Sequence, residues 1–225
     1  KGDLRLTAGS SGDISCQDIS CKDLHATSNS SGDISGKSVS CGLLTAASNS
    51  SGDIYFGGSK CQQADLQCNS SGDLHIKGLE CTHLIATATS SGDLRLQGKC
   101  EQAKYTASSS GDIDAGNMEA RHVDANASSA GDISCHASES LNAHTSGGGS
   151  IAYSGNPVQV SASGKDIQKR YPPPPDSKGT VTGQSRDSPF AVFHTSRQEH
   201  YPTVRLCHTA LNRNHPRGPT TTSVT

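Results

Sequence analysis

Tryptophan is absent from this 225-residue chain, methionine occurs once, and aromatic residues make up only 4%. A conventional globular core needs large side chains. Their shortage leaves two options: a disordered chain, or a thin solenoid whose narrow interior accepts small residues. No run of about 18 apolar residues occurs, so no segment can cross a membrane as an apolar helix. Neither sign of charge dominates, since 19 basic and 21 acidic residues give a net −2. That balance supplies no global pull toward nucleic acid or a lipid surface, and neither is expected as a partner. Cys-x-x-Cys never occurs among the nine cysteines, so no zinc-knuckle spacing is present. Apolar residues do not recur with a 3.6-residue period, which argues against helices.

What the chain has instead is a repeat. SSGDI stands at 10–14, 30–34, 50–54 and 109–113, SSGDL at 70–74 and 90–94, AGDI at 130–133, and a degenerate GGSI at 148–151. Successive Gly-Asp glycines, from Gly12 to Gly131, lie 20, 20, 20, 20, 19 and 20 residues apart. Aligned on them, the sequence falls into apolar columns. One column holds Leu4, Leu24, Leu44, Ala64, Leu84, Ala103, Val123 and Leu141. A second holds Leu6, Ala26, Ala46, Leu66, Ala86, Tyr105, Ala125 and Ala143. Ile14, Ile34, Ile54, Leu74, Leu94, Ile113, Ile133 and Ile151 follow the Gly-Asp pairs. Apolar and polar columns alternate, the period-two signature of strands, here short ones of three to five residues. Stacking equivalent positions predicts an all-β fold, a single-stranded parallel β-solenoid (β-helix). It would have about eight coils of about 20 residues, spaced about 4.8 Å apart.

The polar columns test this register independently. One reads Lys60, Glu80, Lys99, Glu119; another Glu101, Arg121, Glu139; a third pairs Lys104 with Asp124. Opposite charges alternate down each, as adjacent stacked strands favour. The opening KGDL lies half a period from Gly12, so Lys1 is expected inside a coil, with either an upstream N-terminal portion missing or another element covering that open edge.

Each Ser-Gly-Asp reads as a corner. Glycine tolerates positive φ, and Asp and Ser bond nearby backbone N–H groups. The alternative is a calcium ladder along Asp13, Asp33, Asp53, Asp73, Asp93, Asp112 and Asp132. The nine-residue, glycine-dense pattern of calcium-binding solenoids is not present, and no metal or other cofactor is expected. Cys21, Cys41, Cys61, Cys81 and Cys100 form one column, continued by Ala120 and Ser138, and read as a sulfur ladder filling the core. Adjacent rungs lie within the Cα distance that a disulfide spans.

Repetition argues against catalysis, because an active site breaks symmetry at one place. One outward column does break it: Ser15, Ser35, Tyr55, His75, Arg95, Asp114, Ser134, flanked by Lys77 and Gln97. Tyr55, His75, Lys77, Arg95 and Asp114 are therefore the candidate binding patch. No catalytic residues are assigned. A carbohydrate-active β-helix enzyme would need clustered, unrepeated carboxylates. An ice-binding solenoid would need regular outward threonine rows, and the outward columns mix Thr with His, Asp, Lys and Gln.

Composition shifts after Arg170. YPPPPDSKG opens a segment holding eight of the nine prolines, with six basic against three acidic residues, expected to be a disordered tail at 171–225. Pro157 is expected to end the regular stack, with SGKDI as a cap.

The run SSSGDIDAGNMEARHVDANASSAGDISCHASESLNAHTSGGGSIAYSGNP at 108–157 resembles the putative auto-transporter adhesin, head-GIN domain family. The resemblance covers about residues 1–170, the repeat half of that domain. It implies a parallel β-helix with no established activity, exported to the cell envelope or surface of a Gram-negative bacterium, and the protein is expected not to be an enzyme. There it would be an adhesin or scaffold whose partner is a surface glycan or matrix protein. The family's less repetitive N-terminal portion and export signal are not in this sequence.

Overall fold

Fourteen strands, all paired in parallel, make up the computed structural model, which describes residues 1–170. The expectation for 171–225 lies outside the described residues. In the first coils two strands alternate: β1 (Leu4–Ala8), β2 (Ile14–Ser20), β3 (Asp23–Ser28), β4 (Ile34–Ser40), β5 (Leu43–Ser48), β6 (Ile54–Lys60) and β7 (Gln63–Cys68). From there each coil carries one long strand: β8 (Leu74–Ala88), β9 (Leu94–Ala107), β10 (Ile113–Ser129) and β11 (Ile133–Gly147). Three short strands follow, β12 (Ile151–Ser154), β13 (Gln159–Ser163) and β14 (Ile167–Lys169). The strands are thus longer than the three to five residues expected. In the later coils the ladder continues through the bend at Cys81 and Cys100 instead of breaking there.

The molecule is a parallel β-solenoid of about eight turns with coils of about 20 residues. Leu4 pairs with Leu24, Leu24 with Leu44 and Leu44 with Ala64, so equivalent positions are vertical neighbours. Inward residues are buried along the whole length, from Leu24 and Ile34 to Leu141 and Ile151. Sizes alternate where coils 4.8 Å apart must share space. A Cβ on Gly36 would lie 3.0 Å from the Phe56 ring, and Tyr105 sits fully buried between Ala86 and Ala125.

The corner differs in mechanism from its reading in the sequence. None of the glycines from Gly12 to Gly131 in the Gly-Asp pairs adopts a positive φ; Ser90, Ser109 and Ser129 do, at 66°, 61° and 59°. Glycine is required because the coil below comes too close. A Cβ on Gly52 would lie 2.3 Å from the carbonyl oxygen of Gly32 and 2.3 Å from Ser28 Oγ. A Cβ on Gly12, in the first coil, would meet nothing within 4 Å. The aspartates also act between coils. Asp73 N donates to Asp53 Oδ1 at 2.8 Å, and the same bond recurs from Asp33 through Asp132 at 2.8 to 3.4 Å. Those N–H groups offset the stacked like charges in part; burial and the neighbouring carboxylates still raise the pKa of Asp53, Asp93 and Asp112. Among the described residues no group of three or more His, Cys, Asp or Glu is arranged to hold a metal. Ser28 and Ser48 are the local turn closers, each donating to the glycine carbonyl four residues on at 2.7 Å.

Two further expectations shift. Ala120 faces Ala137 rather than Ser138, because the register slips between Ala115 and Glu119 and again between Ala120 and His122. Pro157 does not end the stack. β13 pairs with β11 beyond it, and Ile167 pairs with Ile151.

Candidate binding face

Side chains on opposite sides of the same coil meet different fates. At the bend, Lys60 Nζ lies 3.0 Å from Glu80, Lys99 Nζ 3.3 Å from Glu119, and Arg121 bridges Glu101 at 3.3 Å and Glu139 at 2.6 Å. Lys104 and Asp124 are register partners. Between the two charged columns runs the thiol column. Cys41 hydrogen-bonds to Cys61, and Cys81 to Cys100. The bond with Cys100, and then burial, push the Cys81 thiol up to about 12. None of these thiols is in a disulfide, and they pack as small apolar residues with weak mutual hydrogen bonds.

The unrepeated column lies on the face after the corner. Ser35 pairs with Tyr55, Tyr55 with His75, His75 with Arg95, and Arg95 with Asp114, so the predicted patch is one continuous row across four coils. The Tyr55 and His75 rings meet edge to face, centroids 5.4 Å apart and 85° between planes. Lys77 Nζ sits 5.7 Å from the centre of the Tyr55 ring, within cation–π range. Arg95 is exposed and lies 3.6 Å from Asp93. Tyr55 is 37% exposed, although most large apolar side chains are buried.

His75 is half-buried, and its Nε2 has no hydrogen-bond partner among the described residues. Burial first, and then the charges of Lys77 and Arg95, hold its pKa below the usual imidazole value. The ring is therefore neutral at pH 7 and leaves the positive charge of the row to Lys77 and Arg95.

Two features of this face escaped the sequence reading. Lys37 is exposed in the column that holds Lys77, two coils earlier. Its equivalent position was visible in the repeat, but Gly57 between the two lysines hid their relation. Beyond Arg95, the register shift between Asp114 and Asn117 opens a depression lined by Asp114, Asn117, Ser134, Tyr153 and Ser154. No spacing rule marks where a bulge falls. Chemically the face offers two unneutralised ammonium groups, a guanidinium, an exposed ring and a cluster of hydroxyl and amide groups. None of the described residues forms a helix long and apolar enough to cross a membrane.

Comparison with known proteins agrees with this architecture. A putative adhesin from Bacteroides fragilis NCTC 9343, known from its crystal structure, is 21% identical. It superposes with a TM-score of 0.51 over 76% of this chain and 92% of that one, a likeness of fold. No curated protein matches. The model of the family described as "Putative auto-transporter adhesin, head GIN domain" matches residues 59–157.

Proposed function

We propose that this chain is a non-enzymatic, adhesin-like solenoid of the bacterial envelope or cell surface, and that the Tyr55–Asp114 row is its contact face for a surface glycan or matrix protein. The observation that carries this reading is the break in symmetry. Corner, core and bend repeat coil after coil, whereas Tyr55, His75, Arg95 and Asp114 form one unrepeated outward row, with His75 half-buried and the exposed Lys77 beside it. The family match and the adhesin-like fold support the adhesive role and the surface location. The carboxylates also favour it over a glycoside-cleaving enzyme, which works with a pair about 5–9 Å apart flanking one bond. Here the corner aspartates are committed to backbone N–H groups and the glutamates at the bend to cations.

The test is an array of glycans and matrix proteins probed with the full chain and with Arg95→Ala and His75→Ala variants. Binding that both substitutions weaken is the expected result. Binding unaffected by either would move the contact elsewhere on the solenoid, and silence across the array would favour a purely structural role.

A further inference from the structure

Cations at the bend and cations on the contact face are treated differently, and that difference points to a ligand class. Lys22, Lys60, Lys99 and Arg121 each have a carboxylate within 4.0 Å. Lys37 and Lys77 are exposed, and among the described residues neither makes an ion pair. The fold can neutralise a lysine by placing an acid one coil away, and for Lys37 and Lys77 it does not, whereas Arg95 on the same face lies 3.6 Å from Asp93. Two coils separate the lysines, about 9.6 Å at 4.8 Å per coil, and Arg95 follows one coil beyond Lys77 in the adjacent column. The positive groups thus form a line along the solenoid axis.

Beside that line stands Tyr55, its ring held by the edge of His75 and the Lys77 ammonium. A ring so fixed presents an amphipathic surface at low entropic cost, suited to the C–H face of a sugar. Past Arg95 comes the depression with Asp114, Asn117, Ser134, Ser154 and the cationic Arg170, a set that donates to and accepts from hydroxyl groups. Asp93 and Asp114 stand among Arg95 and Arg170 at that end, a mixed set that favours a polymer with one carboxylate per sugar over one with several sulfates per sugar.

Resting on the contact-face reading above, we infer that this face binds a linear carboxylated polysaccharide, a uronic-acid polymer, lying along the solenoid axis. Its carboxylates meet Lys37, Lys77 and Arg95, a sugar ring covers Tyr55, and hydroxyl groups enter the depression at Asp114 and Asn117. A protein partner is the competing occupant.

Calorimetric titration of the full chain with polygalacturonate, heparin, dextran and fibronectin distinguishes the cases. Polygalacturonate is expected to bind, more weakly as salt rises. Lys77→Ala and Arg95→Ala should each weaken it about tenfold, the loss of one charge-assisted contact, and Lys60→Ala at the bend should leave it unchanged. Melting curves for the three variants, expected to superimpose on the wild type, show that binding and not folding has changed. Equal binding of dextran, or preference for heparin, would overturn the assigned ligand class. If fibronectin alone binds and the Lys77 and Arg95 variants lose it, the face stands and the polysaccharide is wrong. If these variants leave every bound probe unaffected, the face itself is wrong.

Discussion

The Gly-Asp corner and the Tyr55–Asp114 row climb the same solenoid, one residue type per coil in the first case and a different one per coil in the second. At the corner every side chain is spent on the next coil: glycine makes room for the carbonyl below, and aspartate accepts the N–H above. On the row, unlike side chains stack on one another, with Arg95 set between His75 and Asp114 and 3.6 Å from Asp93. On the proposed reading, stability and recognition are divided between columns of one backbone. Sequence uniformity marks where the coil is serving its neighbours, and variety marks where that constraint is absent.

The division fails if corner substitutions are harmless. Gly52→Ala would set a Cβ 2.3 Å from two oxygen atoms, one of them on a backbone that cannot yield, and is expected to cost about 3 kcal/mol, the upper range for overpacking. Chemical denaturation should show it as a large fall in midpoint; an unchanged midpoint would mean that the coils are not held this tightly. Asp53 sharpens the same point. Asp53→Ala removes the acceptor for Asp73 N and is expected to cost about 1 kcal/mol. Asp53→Asn keeps an oxygen in place while relieving like charge; burial, with the flanking carboxylates, raises the Asp53 pKa. Its melting temperature should equal or exceed the wild type's.

The smallest effect belongs to His75. Its folded pKa is depressed, so the unfolded chain takes up the proton first, and stability falls as pH drops below the ordinary imidazole value of about 6.5. His75→Asn should flatten that part of the melting-temperature profile. A profile with the same slope in both proteins would place the titration on another histidine.

Much of this architecture was legible in the residues. The Ile14-to-Ile151 column, the Lys60–Glu80 pairing and the order Tyr55, His75, Arg95, Asp114 all follow from a constant step, because vertical neighbours in a parallel stack are sequence equivalents. What the step cannot encode is distance between backbones. Positive φ seemed the obvious reason for glycine at the corner, yet the cause is a carbonyl in the coil below, a contact visible only in three dimensions. Bulges are hidden for the same reason. One deleted residue fixes that the register must slip near the Leu74–Ala88 strand, and packing decides that it slips between Ile76 and Leu79. Ala137 replacing Ser138 opposite Ala120, and the hollow beside Asn117, are consequences of such slips.

A chain of near-identical segments risks assembling in the wrong order, since any segment offers hydrogen bonds to any other. Phe56 above the hole at Gly36, and Tyr105 between Ala86 and Ala125, act as address labels against that error. A coil inserted out of turn would set two bulky groups against each other or leave a void. Duplication can lengthen such a protein only where the sizes at the junction happen to agree.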